Sequence, residues 1–378
     1  MYGGKLVFAQ LMGHLPLHTL QRCVARYPGR YPTLTFSHLD QFLAMAFAQL
    51  TFRECLRAHS SKLYHLGIRG RIARSTLADA NEKQDWRIYR DLALSLIQTG
   101  RRLYAGKDFV VELKNTAYAL DTTTIDLSLS LFPWAHFHRA KAAVKLHTLL
   151  DLRGNISTFI HISDSKLHEV NILDQIAFDA GSFYVMDRGF LDFERLHTMH
   201  RGQASFVIRA KANLQYRRLY SHPIEKVSGL RCDQTVVLTG VQSCTDYPPL
   251  LRRIKFYDDK LLVFLINHFD LPALTITQLY RCRWQVELFF KWIKQYLRIK
   301  AFFGTSENAV KTQVWIAIAV YMLVAVVKKR LKIDASLHTI LQILSLTLFQ
   351  KTPLDQLLAR IDPEDESVEN GNQLNLFT

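Results

Sequence analysis

Hydrophobic and polar positions change their period several times along this chain. Up to about residue 108 they recur at helical spacing. The clearest case is residues 85–103, where Trp86, Tyr89, Leu92 and Leu96 fall near one face. Ser37-His38-Leu39-Asp40 and Thr51-Phe52-Arg53-Glu54 both have capping-box form, and Ser75-Thr76-Leu77-Ala78-Asp79 begins a further helix. From about residue 109 the pattern shortens to strands at 116–131, 141–152 and 156–162, the last two joined by a tight turn at Arg153-Gly154-Asn155. Leu167, Val170, Leu173, Ile176 and Ala177 predict a helix over 166–180. The short apolar run 182–186 suits a central strand covered on both faces. A helix over 192–200 and a strand over 204–209 follow. Three strands, then helix, strand, helix, strand, predict a mixed sheet that opens as an antiparallel meander and continues in βα units.

Residues 211–270 break that alternation. They read as strands without helices, at 234–238, 251–257 and 261–267, with turns at Tyr247-Pro248-Pro249 and Asp258-Asp259-Lys260. After Leu271-Pro272 the helical period returns in 280–294. A long apolar helix over 309–330 and a helical hairpin to 361 come next. The expected fold is α/β: a mixed-sheet core with a β-rich insertion, an all-helical N-terminal domain and a helical C-terminal region. The expected boundaries are 1–108, 109–210 (core, first part), 211–270 (insertion), 271–330 (core, second part) and 331–378.

Charge narrows the function. Lys and Arg number 48 against 33 Asp and Glu, a formal excess of +15. An excess of that size favours a polyanionic partner, nucleic acid before an acidic membrane surface. Arg57, Lys62, Arg69, Arg71 and Arg74 crowd between the short N-terminal helices, which suits a helix-turn-helix style DNA-binding head or a helical packing domain with a basic face. The insertion is basic through Arg209, Lys211, Arg217, Arg218, Arg252, Arg253 and Lys255. The tail from Asp362 is acidic. Five cysteines at long spacings, with no CxxC, suggest neither a zinc knuckle nor a disulfide framework. The N-terminus lacks the form of a signal peptide, and the apolar run 314–327 is too short for a bilayer. A cytoplasmic protein, nucleoid-associated and with no membrane partner, is expected.

Three carboxylates invite a chemical reading. Asp121 lies inside an otherwise apolar strand, where burial without a partner is costly. It is either an edge-facing Asp bonded to the threonines after it or a metal ligand. Asp187 ends the short central strand, where open α/β sheets place ligands, or it simply opens the Arg188-Gly189 turn. On a helix with about 100° per residue, Tyr280, Arg283, Glu287 and Lys294 fall within roughly 60° of one another. The plain alternative is a surface amphipathic helix with Arg283–Glu287 and Glu287–Lys291 pairs. If the strands carrying Asp121 and Asp187 are neighbours, Glu287 can join them from a packed helix. Such a hard oxygen set favours Mg2+ or Mn2+ over zinc. Two such ions serve phosphodiester cleavage, with Arg283, Lys291 and Lys294 holding phosphates. His168 and Glu169 read as the polar start of the following helix, with a place near the metals as the alternative.

The spacing Tyr280-x2-Arg283-x3-Glu287-x6-Lys294 resembles the Y-R-E-K signature of bacterial insertion-sequence transposases of the insertion-sequence-four family. Asp121-x-Thr and Val185-Met186-Asp187-Arg188-Gly189-Phe190 are similar to the segments carrying the first two acids of that family's DDE triad. Residues 75–89 also resemble its N-terminal region. The resemblance implies an RNase H-like core and two Mg2+ (or Mn2+) ions. It also implies a homodimer acting on paired double-stranded transposon ends, which are joined to target DNA. By position, Asp121, Asp187 and Glu287 would hold the metals and Tyr280, Arg283 and Lys294 would bind DNA; Lys291 and Arg188 are further expected DNA-binding cations. Relatives excise through a DNA hairpin and stack a flipped base on an insertion tryptophan. Here no tryptophan falls in 211–270, leaving Phe256 or Tyr257 for such stacking. The alternatives are an RNase H-like nuclease without strand transfer, a transposase-derived DNA-binding protein without catalysis and, more remotely, a two-carboxylate glycosidase.

Overall fold

The structure is a computed structural model and describes residues 4–29, 36–51, 73–105, 111, 113, 115–138, 141–225, 228–296 and 302–359. In chain order they form helices α1 (Val7–Met12), α2 (Leu17–Arg26), α3 (His38–Leu50), α4 (Arg74–Lys83) and α5 (Arg87–Tyr104). Next come β1 (Ala117–Leu127), β2 (His136–His138), β3 (Lys141–Asp151), β4 (Ile156–Asp164), β5 (Phe183–Met186), α6 (Phe193–Arg201) and β6 (Ser205–Arg209). Then follow β7 (Tyr216–Ser221), β8 (Leu230–Leu238), α7 (Val241–Asp246), β9 (Leu251–Asp258) and β10 (Lys260–Ile266). The chain continues through α8 (Ala273–Arg281), α9 (Trp284–Tyr296), α10 (Glu307–Arg330), α11 (Leu337–Thr347) and α12 (Leu354–Ala359). The Thr51–Glu54 capping motif beyond Thr51, the cations Arg57, Lys62, Arg69 and Arg71, and the acidic tail lie outside the described residues.

The chain divides into two compact units, Met1–Leu103 with Trp292–Thr378, and Tyr104–Lys291. The first is helical. Ser37 and Asp40 close the expected capping box on α3, each side chain bonding the other residue's backbone amide. Helix α10 is the centre of this unit and packs against α3, α4 and α11. It begins two residues before the expected 309–330 and ends where expected, with Ser306 capping its start and three cations in its last turn. Among the described residues it alone is long and apolar enough to cross a membrane, yet 94% of its apolar window is buried inside the fold.

The second unit is built on one ten-stranded sheet, ordered β2-β3-β1-β5-β6-β10-β9-β8-β7, with β4 also on β3. Strands β1, β3 and β4 form the expected antiparallel meander. Its tight turn brings Gly154 so close to Tyr104 that an added Cβ would come 2.8 Å from that side chain. Strands β5 and β6 run parallel to β1 and to each other. Together β4-β3-β1-β5-β6 have the strand order of an RNase H-like core. Strand β10 pairs antiparallel with β6, so β10, β9, β8 and β7 continue the same sheet.

Four expectations need correction. The helix over 166–180 is only a 3-10 segment, Glu169–Gln175. Asp164 accepts from the Leu167 amide and His168 from the Val170 amide, and these local bonds compete with an α-helix. Residues 211–270 contain a helix, α7, which buries no side chain and so leaves no periodic signal. They also contain β7, whose residues are nearly all exposed and lack alternation. The single helix over 280–294 is two helices. At Cys282-Arg283 the backbone tightens into i to i+3 bonds, from Arg283 N to Tyr280 O and from Val286 N to Arg283 O.

Candidate active site

Strand register alone places the first two acids side by side. In β1 and β5 the last paired residues are Leu120 and Met186, so Asp121, in the middle of β1, and Asp187, just past the carboxyl end of β5, are next in line where the two parallel neighbours part. Adjacent strands lie about 4.8 Å apart. Side chains alternate between faces. Tyr118, Leu120, Tyr184, Met186, Phe206 and Ile208 fill the apolar core with Leu196 and Met199 of α6. Asp121 and Asp187 therefore point to the opposite face, with buried Ala119 and Val185 before them. Helix α8 covers that face: the Tyr280 ring lies 4.5 Å from that of Phe264 on β10.

The tightened turn between α8 and α9 then delivers the remaining groups. Arg283 Nη1 donates to Asp121 Oδ2 at 2.6 Å, and Nη2 donates to Glu287 Oε1 at 2.6 Å. The Tyr280 hydroxyl donates to Asp187 Oδ1 at 3.4 Å. The guanidinium also lies 5.7 Å from the Tyr280 ring centre. Its Nε is buried without an acceptor. Three acids, a phenol and a guanidinium thus share one site, although Tyr280 and Glu287 sit on different helices. Asp121 accepts the Thr122 amide at 2.8 Å as well.

The electrostatics show a site overloaded with negative charge. Burial first, with smaller contributions from Glu287 and Asp187, outweighs Arg283 and the Thr122 amide and leaves the Asp121 carboxyl raised to about 6. Burial works against the Arg283 cation, but Asp121, Tyr280, Glu287 and Asp187 outweigh it and hold the guanidinium protonated. Burial, aided by Asp187, pushes the Tyr280 hydroxyl up to about 12 despite the nearby Arg283. Arg283 stands between Asp121 and Glu287. Among the described residues, no three His, Cys, Asp or Glu side chains are grouped as a metal site would group them. The donor set is hard carboxylate oxygen, and its charges repel one another unless a cation lies among them. Those residues fit Mg2+ or Mn2+, on the condition that the ion replaces the guanidinium on the carboxylate oxygens.

The other expected residues are more scattered. Arg188 is exposed in the short turn after Asp187, and Lys291 is exposed on α9. Lys294 is also exposed on α9 but belongs to the other compact unit. His168 caps the 3-10 segment. The Glu169 carboxylate stands 3.1 Å from where a Cβ on Gly189 would be, two residues past Asp187. Phe256 is buried at 6% exposure, whereas Tyr257 is 49% exposed with the Arg231 guanidinium 5.4 Å from its ring. One group was misplaced by composition. Arg209 counted only as an insertion cation, yet β5 and β6 pair Met186 with Ile208, so Arg209 is next in line beside Asp187. Its charge reaches Tyr280. Aligning the ends of the two parallel strands would have found it.

Comparison with known proteins gives the same region. The family model described as "Transposase DDE domain" matches residues 113–323. A "Domain of unknown function (DUF4372)" matches residues 3–69. The chain is 27% identical over 284 residues to the putative transposase y4zB of Sinorhizobium fredii, covering 73% of this chain and 77% of that one. It is 29% identical over 239 residues to a probable transposase for insertion sequence element IS5377 of Geobacillus stearothermophilus, covering 62% of this chain and 61% of that one. A putative transposase for element IS4SA of Synechocystis is 23% identical over 314 residues, covering 79% and 86%.

Proposed function

The chain belongs to the transposase DDE domain family, and from that premise we propose that it is an insertion-sequence transposase that cleaves at transposon ends and joins 3′-hydroxyls to target DNA. The observation that carries the site assignment is the convergence of Asp121, Asp187 and Glu287 around Arg283 and Tyr280. In this reading the three carboxylates hold two Mg2+ or Mn2+ ions, which when bound activate the attacking oxygen and stabilise the leaving one.

The protein's own groups do the rest. Asp121 within β1 and Asp187 at the end of β5 fix two oxygen donors on adjacent strands, a rigid base for phosphodiester geometry. Glu287 brings the third from α9. Arg283, no longer needed between the carboxylates, offers its fork to a phosphate, for which its unpaired Nε is suited. Tyr280 remains a protonated hydroxyl throughout the neutral range and donates to a second phosphate oxygen. Arg188 and Lys291 add cationic contacts along the strand, Lys294 is a DNA contact of its own unit, and the +15 charge draws the duplex in. The proposed active form is a homodimer on paired ends.

The test is cleavage of end-bearing DNA with Mn2+. Asp121→Asn, Asp187→Asn and Glu287→Gln should each lower cleavage by a factor on the order of a thousand or more while sparing end binding. Full activity in any one of them would remove that residue from the triad. Cleavage without joining to target DNA would favour the nuclease alternative.

A further inference from the structure

Behind Asp121, on the other face of the sheet, a chain of side chains crosses three strands. Thr122 on β1, His147 on β3 and His161 on β4 are register partners. His147 is fully buried. Its Nδ1 lies 2.8 Å from Thr122 Oγ1 and its Nε2 lies 2.9 Å from Ser163 Oγ. Ser163 Oγ donates its only proton to the Asp164 carbonyl at 2.8 Å. It must therefore accept from the imidazole, which puts the ring proton on Nε2. Nδ1 is then an acceptor, and the Thr122 hydroxyl is its donor. Burial, with the charges of His161 and Lys145, lowers the His147 pKa to about 4, so the ring stays neutral in this arrangement.

The direction of these bonds matters because Thr122 works from both sides of the sheet. Its hydroxyl is anchored to a buried imidazole on one face. Its amide donates to Asp121 Oδ1 at 2.8 Å, on the side where the acids meet. Anchoring the side chain fixes the peptide plane that aims this amide. The terminal torsion of Asp121 is intrinsically broad, and once an ion takes the place of Arg283 on Oδ2 this amide is the bond on Oδ1 that limits it.

Resting on the reading of Asp121 as a metal ligand, we propose that His147 and Thr122 are positioning residues that orient the Asp121 carboxylate for the divalent ion. His147 touches neither metal nor DNA in this proposal. It acts only through Thr122, as outer-shell partners act on metal ligands generally.

Mn2+ binding to the full chain, followed by the paramagnetic resonance of free Mn2+, tests this separately from catalysis. Thr122→Val keeps the shape and removes the donor, and should weaken Mn2+ binding by about tenfold while lowering the melting temperature only modestly, because it leaves His147 Nδ1 buried without a donor. Thr122→Ser restores the hydroxyl and should restore the affinity. His147→Leu should match Thr122→Val, and the double variant should be no weaker than either single one, because both changes cut one path. The inference is overturned if Thr122→Val binds Mn2+ as the unsubstituted chain does, or if Thr122→Ser binds as poorly as Thr122→Val. Should the unsubstituted chain and Asp121→Asn bind Mn2+ equally poorly, the metal reading itself falls and the inference with it.

Discussion

Arg283 has two partners that a metal also wants. It bonds Asp121 Oδ2 and Glu287 Oε1, and its charge is what lets those acids lie together. Removing it should therefore expose the acids to any other cation. Arg283→Gln should tighten Mn2+ binding by about tenfold or more, since a unit charge about 4 Å away is worth about 1 kcal/mol with water-like screening and about 4 kcal/mol near a protein surface, while weakening binding to end DNA. Calorimetry with Mn2+ and gel shift with DNA would separate the two, and weaker Mn2+ binding would contradict the argument. His147 makes a pH prediction. Its pKa falls from 6.5 to about 4 on folding. The stability it gives is full above about 6.5 and is lost as the pH falls towards 4, because the unfolded chain takes up the proton first. Its share is roughly 3 kcal/mol at 1.36 kcal/mol per pKa unit. Urea unfolding between those pH values should show a flatter profile for His147→Asn. Residue identities were readable where they break a pattern: an acid in an apolar strand marked Asp121, and a strand end marked Asp187. His147 and Arg209 were not, because each sits in ordinary alternation and gains meaning only from the strand beside it.

Among elements, the strands of the core were legible and the turn at 282–283 was not. Strand 183–186 is four buried apolar residues, and nothing but a central position suits it. The stretch 280–294 has no proline or glycine to announce a break. Its helical period continues across the tightened turn, where Arg283 bonds Asp121 on a strand distant in sequence. A similar long-range tie holds the approach to α8. Arg252 on β9 makes a two-toothed bond to Asp233 on β8, with both side chains under a tenth exposed. It also donates to the carbonyls of Phe269 and Leu271, just before α8. Arg252→Met should cost about 3–5 kcal/mol by stranding Asp233, measured by urea unfolding. Adding Asp233→Leu should recover much of it, since an apolar pair leaves no buried charge. If the double variant is as unstable as the single one, the bonds to Phe269 and Leu271 are the larger contribution.

At the scale of the whole molecule, helical ends around an α/β core followed from period alone, while the continuity of the sheet did not. No local signal says that β10 pairs with β6 across a long excursion; that is fixed by which edges meet in space. The excursion has one consequence for the molecule as a solute. It moves the end of the sheet outward to β7, whose outer edge meets no further strand among the described residues. Leu219 and Tyr220 there are 47% and 59% exposed, an adhesive template for any extended segment. Arg217 and Arg218 precede them, both exposed, and like charge turns away a second copy offering the same edge. Replacing both arginines by threonine should leave the fold's melting temperature nearly unchanged but bring time-dependent light scattering at moderate concentration. A doubly substituted chain that stays clear would show that the edge is guarded by something else. The same two cations that suit a polyanion are thus the ones expected to hold this edge apart from a second copy.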